Sequence, residues 1–463
     1  MNTASLLRRT ADHALEYLES LDDRPISPTC TPAELRTALG KRLPQKGLPP
    51  EQVIDDLARD VTGGLLGSPS GRFFGWVIGG TLPAALAADW LTSTWDQNAA
   101  IYACSPAAAI VEEVCGQWLK QLLGIPESAS FALVTGCQMA HTTALAAARN
   151  KLLADHGWDV EHRGLVGAPP IRVLTTERRH ETLIRALRLL GMGDAAIELL
   201  SCDDEGRMQL TDLGDALSSS ADVPTVVCLQ AGDLHTGMFD PFAEACEIAH
   251  AHRAWVHIDG AFGLWVATSD RLCHLLAGVE NADSWATDGH KWLNLPFDSG
   301  FVFVAEPAPH QAAMSQTASY RIKVGDTRDQ TDWTPEWSRR GRGFPVYAAI
   351  RSLGRSGIAE LVERCCKHAY RLVTGIGALP GAEVVITPQI NQGLVRFLSE
   401  DGDHDRRTDA IIEQIQAKGV AWFGGATWRN TRVMRVSVCN WRTSDSDVDR
   451  AIESLRAVLA EVR

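Results

Sequence analysis

Several absences narrow what this chain can be before any motif is read. Lysine and arginine number 44 against 57 aspartates and glutamates, a formal net charge of −13. That leaves no basic footprint and argues against nucleic acid or an anionic membrane as the main partner. No uncharged apolar run approaches the ~18–20 residues a membrane span needs. The nearest, Phe73 to Leu91, is broken by Gly79-Gly80, Pro83 and Asp89 and reads as a buried helix or interface segment. The eleven cysteines show no CxxC and no repeated ligand spacing, so no metal site is expected; Cys365-Cys366 is merely adjacent. Met1 to Arg9 lacks the apolar core of a secretory signal, so the thiols are expected reduced and the protein cytoplasmic. No G-x-G-x-x-G turn follows the first strand candidate, which argues against a nucleotide-binding oxidoreductase.

What remains has the composition of an ordinary globular protein, 45% hydrophobic and 22% charged, and 463 residues are too many for one core. Residues 1–75 read as helices joined by proline-rich loops: Leu6 to Leu21 carries a helical stripe, and Pro49-Pro50 introduces another near Val53 to Thr62. From 76 to 355, short apolar strands alternate with longer helical periods. Strands are expected at Phe131–Thr135, Ile171–Thr175, Thr225–Leu229, Trp255–Ile258 and Gly300–Val304. Helices are expected at His141–Leu153, Glu181–Leu190 and Pro241–His252. Such alternation predicts βαβ units, an α/β fold and a mostly parallel sheet. Residues 356–463 change character to a small α+β domain, with a helix at Ile358–Ile376, strands at Glu383–Ile386, Gly393–Leu398 and Val433–Val438, and a closing helix at Ser446–Val462.

Two segments carry chemistry. Asp288-Gly289-His290-Lys291-Trp292 places a lysine among apolar aromatic residues, and His257-Ile258-Asp259-Gly260-Ala261-Phe262 ends a strand on a carboxylate. A pyridoxal 5′-phosphate (PLP) enzyme needs a lysine for the Schiff base, a carboxylate for the pyridine nitrogen and a polar nest for the phosphate. Burial lowers the pKa of an amine, which would favour Lys291 as that lysine. Asp259 falls at the carboxyl edge of the sheet, where open α/β folds bind ligands, and Gly260 and Ala261 leave space for a flat ring. Gly136-Cys137-Gln138 opens a helix after a strand, the start of a phosphate cradle. His180 follows the strand Ile171–Thr175, where it either caps a helix or stacks on a ring. Trp76 and Tyr102 either line an aromatic substrate pocket or pack at an interface.

These residues together resemble the group II PLP-dependent decarboxylases, the family of aromatic L-amino acid, tyrosine, glutamate and histidine decarboxylases, with the aspartate aminotransferase fold (fold type I). The likeness runs from Arg8 to about Val462. It rests on His290-Lys291-Trp292, on Ile258-Asp259-Gly260-Ala261, on His180, on Arg72-Phe73-Phe74-Gly75-Trp76, on Ser105-Pro106 and on Trp333-Thr334-Pro335-Glu336-Trp337-Ser338-Arg339-Arg340. The resemblance implies a large PLP-binding domain with a seven-stranded, mostly parallel sheet, an N-terminal helical dimerisation segment, and a homodimer with active sites at the subunit boundary. It implies Lys291 as the Schiff-base lysine, Asp259 as the pyridinium partner, and His180 stacked on the ring against the substrate carboxylate. His290 would help hold the phosphate with the backbone N–H groups of Cys137 and Gln138. The expected reaction is decarboxylation of an amino acid, with an aromatic one favoured, to amine and CO2. Aldol-type cleavage, transamination, oxidative deamination or a non-catalytic PLP-fold binding protein are the alternatives. Tyr320 is the candidate for the family's proton-donating loop tyrosine, although a second alignment puts Trp333 there; loss of that tyrosine goes with aldehyde-forming oxidative chemistry in the family. The chain departs from the family at Cys137, Gln138, Met139 and His141. It departs again at Asp288, where some relatives place a phosphate-contacting asparagine and an anion would be unfavourable unless it pointed away.

Overall fold

The computed structural model describes residues 2–462 except Ala221, Thr317 and Tyr320. It divides the chain into two compact units, one of Met1–Gly80, His368–Thr387 and Gly393–Arg463, the other of Thr81–Lys367 and Pro388–Gln392. The second unit carries a seven-stranded sheet. Its strands are β1 (Ser130–Val134), β2 (Arg172–Thr176), β3 (Ile197–Leu200), β4 (Thr225–Gln230), β5 (Trp255–Asp259), β6 (Ser284–Asp288) and β7 (Gly300–Val304). They lie in the order β1-β7-β6-β5-β4-β2-β3, and only β7 runs antiparallel to its neighbours. Strands covered on both faces read as continuous apolar runs, and β1, β4 and β7 do. The expected α/β fold with a mostly parallel seven-stranded sheet is therefore what the chain adopts.

Helix Cys137–Asp155 lies against this sheet through Ala140, Ala144, Ala147 and Ala148, all buried. Small side chains let a helix come close to strands, and that closeness brings the helix start onto the sheet edge. Gly300 makes the approach possible: a Cβ there would sit 2.4 Å from the Gly136 Cα. Gly300 is also in register with Val134 on one side and Asp288 on the other. The turn after β1 and the end of β6 thus meet around one residue that carries no side chain.

The first unit holds a smaller sheet of β8 (Ala382–Ile386), β9 (Gln392–Phe397, in this unit from Gly393 on), β10 (Gly424–Trp428) and β11 (Thr431–Ser437), in the order β10-β11-β9-β8. Buried Arg72 ties this unit together, donating to the carbonyls of Leu21, Asp22, Arg24 and Val420. Three strands escaped the sequence pattern: β3, β6 and β10. β6 is Ser-Trp-Ala-Thr-Asp, fully buried yet without an apolar run, because its hydroxyls are satisfied by partners distant in sequence. β3 is an edge strand with two exposed positions, and β10 opens on two glycines. Among the described residues no helix is long and apolar enough to cross a membrane.

His310 illustrates how polar groups are held inside the second unit. Its Nδ1 lies 2.8 Å from the Ser130 hydroxyl and its Nε2 2.8 Å from the Trp333 carbonyl, so the neutral ring is fully bonded. Burial pushes its pKa down from 6.5 to about 3. The unfolded chain therefore binds a proton between these values that the native state refuses, and stability falls as pH drops through that window. One such group contributes a slope of about 1.4 kcal/mol per pH unit. Urea midpoints measured from pH 6.5 to 4 should fall more steeply for the parent than for His310→Gln. Identical slopes would show that His310 titrates normally in the folded protein.

Candidate active site

The carboxyl edge of the large sheet gathers the residues that the motifs single out. β5 ends at Asp259, which is only 5% exposed. Three donors meet its carboxylate. The Ala261 N–H reaches Oδ1 at 3.2 Å, the Cys137 thiol approaches the same oxygen at 3.9 Å, and His141 Nε2 lies 3.5 Å from Oδ2. Burial, the largest single influence, would raise the pKa of this acid, but His141, His180 and Lys291 together hold it well below the usual carboxylate range. Asp259 is a buried anion.

Lys291 follows β6 in the turn after Asp288, with its ammonium 3.1 Å from Asp288 Oδ2 and 5.9 Å from the centre of the Phe262 ring. Here the expectation from burial alone needs correction. Burial does pull the amine's pKa down more than any other single influence, but the anionic surroundings, Asp288 foremost and Asp259 with it, leave the net shift upward. Lys291 rests as a paired cation.

His180 is the N-cap of helix Glu181–Leu189, so the capping role and the site position coincide in one residue. Its Nδ1 accepts from the Thr182 N–H at 3.2 Å. That acceptor duty leaves the proton on Nε2. Although the residue reaches solvent, desolvation by the surrounding protein lowers its pKa, with Asp259 and Lys291 close enough for their charges to act on it. The neutral ring presents an N–H to the site.

His290 is built the same way. Its Nδ1 accepts from the Ser299 N–H at 3.2 Å, its ring lies 4.4 Å from that of Phe297, and its Nε2 stands 3.6 Å from Asp288 Oδ1. Burial lowers its pKa. Gln138 donates through Nε2 to the Thr182 carbonyl at 3.2 Å, while its Oε1 is buried without a partner.

The start of helix Cys137–Asp155 is occupied. Asp288 Oδ1 accepts from the Cys137 N–H at 2.6 Å, so the carboxylate points at the expected phosphate cradle rather than away from it. An anion held there shows that the helix start binds negative charge, as unpaired N–H groups and the helix dipole dictate. It also means that a phosphate must share or take over this position.

Lys291, Asp259, Ala261, His180, His290, Cys137 and Gln138 thus come together within the second unit. Trp76 and Tyr102 belong to different units. Trp76, half-exposed and at φ 47°, lies against Trp422 at 4.6 Å within the first unit. Tyr102 donates its N–H to Asp329 Oδ1 at 2.8 Å within the second. Tyr320 lies outside the described residues. Trp333, the alternative at that loop position, packs edge-on against His310 at 5.3 Å and under Arg328 at 4.9 Å.

Three residues that sequence reasoning did not place in the site also belong to it: His141, His257 and Ser284, all fully buried. Two periodicities pointed there. Alternation along β5 puts Trp255, His257 and Asp259 on one face, and the i, i+4 spacing puts Cys137 and His141 on one helix face. Ligand atoms of Cys137, His141 and Asp259 lie within 4.8 Å of one another. The set suits a metal ion poorly, because burial and the nearby carboxylates drive the Cys137 thiol well above its ordinary pKa, and metal binding needs the thiolate.

A buried carboxylate, an amine, two imidazoles presenting N–H groups and an anion-binding helix start match the three demands of PLP: pyridine nitrogen, aldehyde and phosphate. Fold and site together define a fold type I PLP enzyme. A family model described as the pyridoxal-dependent decarboxylase conserved domain matches residues 32–399, and the chain belongs to this family, a PLP-dependent carboxy-lyase. It is 25% identical to 4-hydroxyphenylacetaldehyde synthase of Rhodiola rosea over 95% of this chain and 91% of that protein. It is 24% identical to aromatic-L-amino-acid decarboxylase of Bacillus atrophaeus over 98% and 95%. Among solved structures, Oryza sativa TDC with PLP and tryptamine superposes with a TM-score of 0.92 at 23% identity, covering 100% of this chain and 99% of that one.

Asp288→Asn keeps an oxygen for the Cys137 N–H and removes the charge opposing a phosphate. PLP should bind this variant about tenfold more tightly in equilibrium titration, a gain of roughly 1.4 kcal/mol. The cofactor-free form should melt lower for want of the Lys291 pair and the charged helix cap. Unchanged or weaker PLP binding would mean that the two anions do not compete.

Proposed function

We propose that the protein decarboxylates an aromatic L-amino acid to the corresponding amine and CO2, with Lys291 supplying the amine that holds the cofactor's aldehyde carbon. The observation that carries this reading is the meeting of a paired lysine ammonium, an anionic buried Asp259 and the neutral imidazole of His180 at one sheet edge. Bound PLP supplies an electron sink for the pair released when a bond to the α-carbon breaks. Asp259 keeps a proton on the pyridine nitrogen, which strengthens that sink. His180 offers its Nε2–H to the substrate carboxylate, and its Nδ1 is fixed by Thr182 so that the ring cannot turn its lone pair inward. Cys137, Gln138 and His290 surround the phosphate position. Asp288 stands beside Lys291 as the group positioned to take a proton when the amine must become a nucleophile. The aromatic substrate class is supported by the names of the relatives, among them tryptophan and tyrosine decarboxylases. We take the setting to be reducing and cytoplasmic, since none of the eleven cysteines forms a disulfide among the described residues, and the functional form to be a homodimer.

A second reading has its own support. Trp333 at the loop position cannot donate a proton as a phenol does, and one relative is named an aldehyde synthase. In that chemistry an amino acid, O2 and water give aldehyde, CO2, ammonia and hydrogen peroxide.

Incubating the PLP-loaded protein with a panel of L-amino acids and measuring CO2, amine, aldehyde and peroxide separates the two. Amine and CO2 in equal amounts from an aromatic substrate are expected, and Lys291→Ala should abolish both turnover and the cofactor's visible band. Aldehyde with peroxide and no amine would replace the first reading with the second.

A further inference from the structure

Behind Asp259 runs a line of buried polar groups that the reaction does not touch. Trp255 Nε1 donates to Ser284 Oγ at 2.9 Å. Ser284 Oγ lies 2.9 Å from His257 Nδ1, and His257 Nε2 lies 2.8 Å from His141 Nδ1. His141 Nε2 faces Asp259 Oδ2 at 3.5 Å. The three polar residues between indole and carboxylate, Ser284, His257 and His141, are fully buried.

We propose that Ser284, His257 and His141 form a one-way hydrogen-bond chain whose last N–H fixes the carboxylate facing the cofactor's pyridine nitrogen, making His141 a positioning residue. The polarity follows from the two ends. An indole N–H can only donate, so Ser284 accepts from Trp255; its own O–H goes to His257 Nδ1 because the carboxylate end calls for an N–H on His141 Nε2, which makes His141 Nδ1 an acceptor. His257 must then carry its proton on Nε2 and donate it to His141 Nδ1. That leaves His141 with an Nε2–H directed at Asp259 Oδ2 and, at the same 3.5 Å, at the sulfur of Cys137, whose thiol faces the other oxygen of the same carboxylate. The reverse direction would set a nitrogen lone pair against a buried carboxylate, which is repulsive. His257 stays neutral, since burial pushes its pKa down to about 3. The chain therefore delivers a dipole of fixed sense rather than a mobile proton. With the Ala261 N–H and the Cys137 thiol on the other oxygen, it holds Asp259 both oriented and ionised. A carboxylate kept in that state holds the pyridine nitrogen protonated more firmly than a freely rotating one.

This inference rests on Asp259 facing the pyridine nitrogen and is independent of which reaction follows. Its test therefore reads the resting holoenzyme first. The visible absorption band of bound PLP and the cofactor's release rate are measured for the parent, His141→Leu, His141→Asn and Ser284→Ala, followed by kcat and KM on the best substrate. Removing the last donor in His141→Leu should shift the band, speed release and lower kcat about 10–100-fold with KM nearly unchanged, as for other partners that orient a cofactor-binding group. His141→Asn, which still offers an N–H, should recover most of that loss. Ser284→Ala touches neither the cofactor nor Asp259, but it frees His257 to reverse its tautomer, so its band should move in the same direction by a smaller amount. A band unmoved in Ser284→Ala overturns the chain, including the case in which His141→Leu fails to fold. An unmoved band in Asp259→Asn overturns it differently, by removing Asp259 from the pyridine side altogether. Loss of amine production with normal spectra throughout would instead strike the decarboxylase reading.

Discussion

A carboxylate taken out of water at the end of a central strand costs several kcal/mol unless donors and counter-charges meet it. Asp259 is such a group, and much of the second unit is organised to satisfy it. The parallel strands bring His180, Lys291 and the helix start to the edge where β5 ends. The small residues of helix Cys137–Asp155 let His141 and Cys137 come within reach. Alternation along β5 turns His257 toward the same side. Remove the anion and these placements lose their common purpose.

A second charge balances the first. Asp288 lies at the end of β6, where it closes a helix start and holds Lys291 as a cation. One acid thus keeps a permanent place within the sheet edge, while the other occupies ground that a phosphate also wants. The same lysine feels both, which is why its amine is held charged despite its burial. Two histidines complete the picture with backbone N–H groups fixing their Nδ1 atoms, so that each offers a proton donor without carrying a charge.

Much of this was readable from the residues alone, and the reason is geometric. Asp259 announces itself by ending an apolar strand at the sheet's carboxyl edge, and Lys291 by its place among aromatic residues in His290-Lys291-Trp292. The sheet's class followed from alternating periods. What could not be read depended on contacts between distant segments. β6 hides as a strand because its serine and threonine find partners in β5 and after it. The sequence reveals that residue 288 is acidic, but its direction depends on Gly300 and Gly136 coming together. His141 and His257 each sat in a correct periodic pattern, yet nothing local says that their helix and strand face one another. The lowered amine pKa expected for Lys291 failed for the same reason: burial can be anticipated from neighbours in sequence, counter-charges cannot.

The make-up of the first unit has a consequence for how the polypeptide is born. Its pieces come from the two ends of the chain, residues up to Gly80 and those beyond His368, with Arg72 gripping carbonyls from both. A ribosome adding about 5–20 residues per second releases the early helices well before their late partners exist. For on the order of tens of seconds, Leu21, Ile26, Phe73 and Phe74, all buried in the finished unit, must wait in the cell without the late segments that cover them, among them Trp422 and Phe423, while the whole second unit is synthesised and can fold. Nascent chains are therefore most exposed to aggregation, and most in need of chaperone cover, at their oldest end rather than their newest.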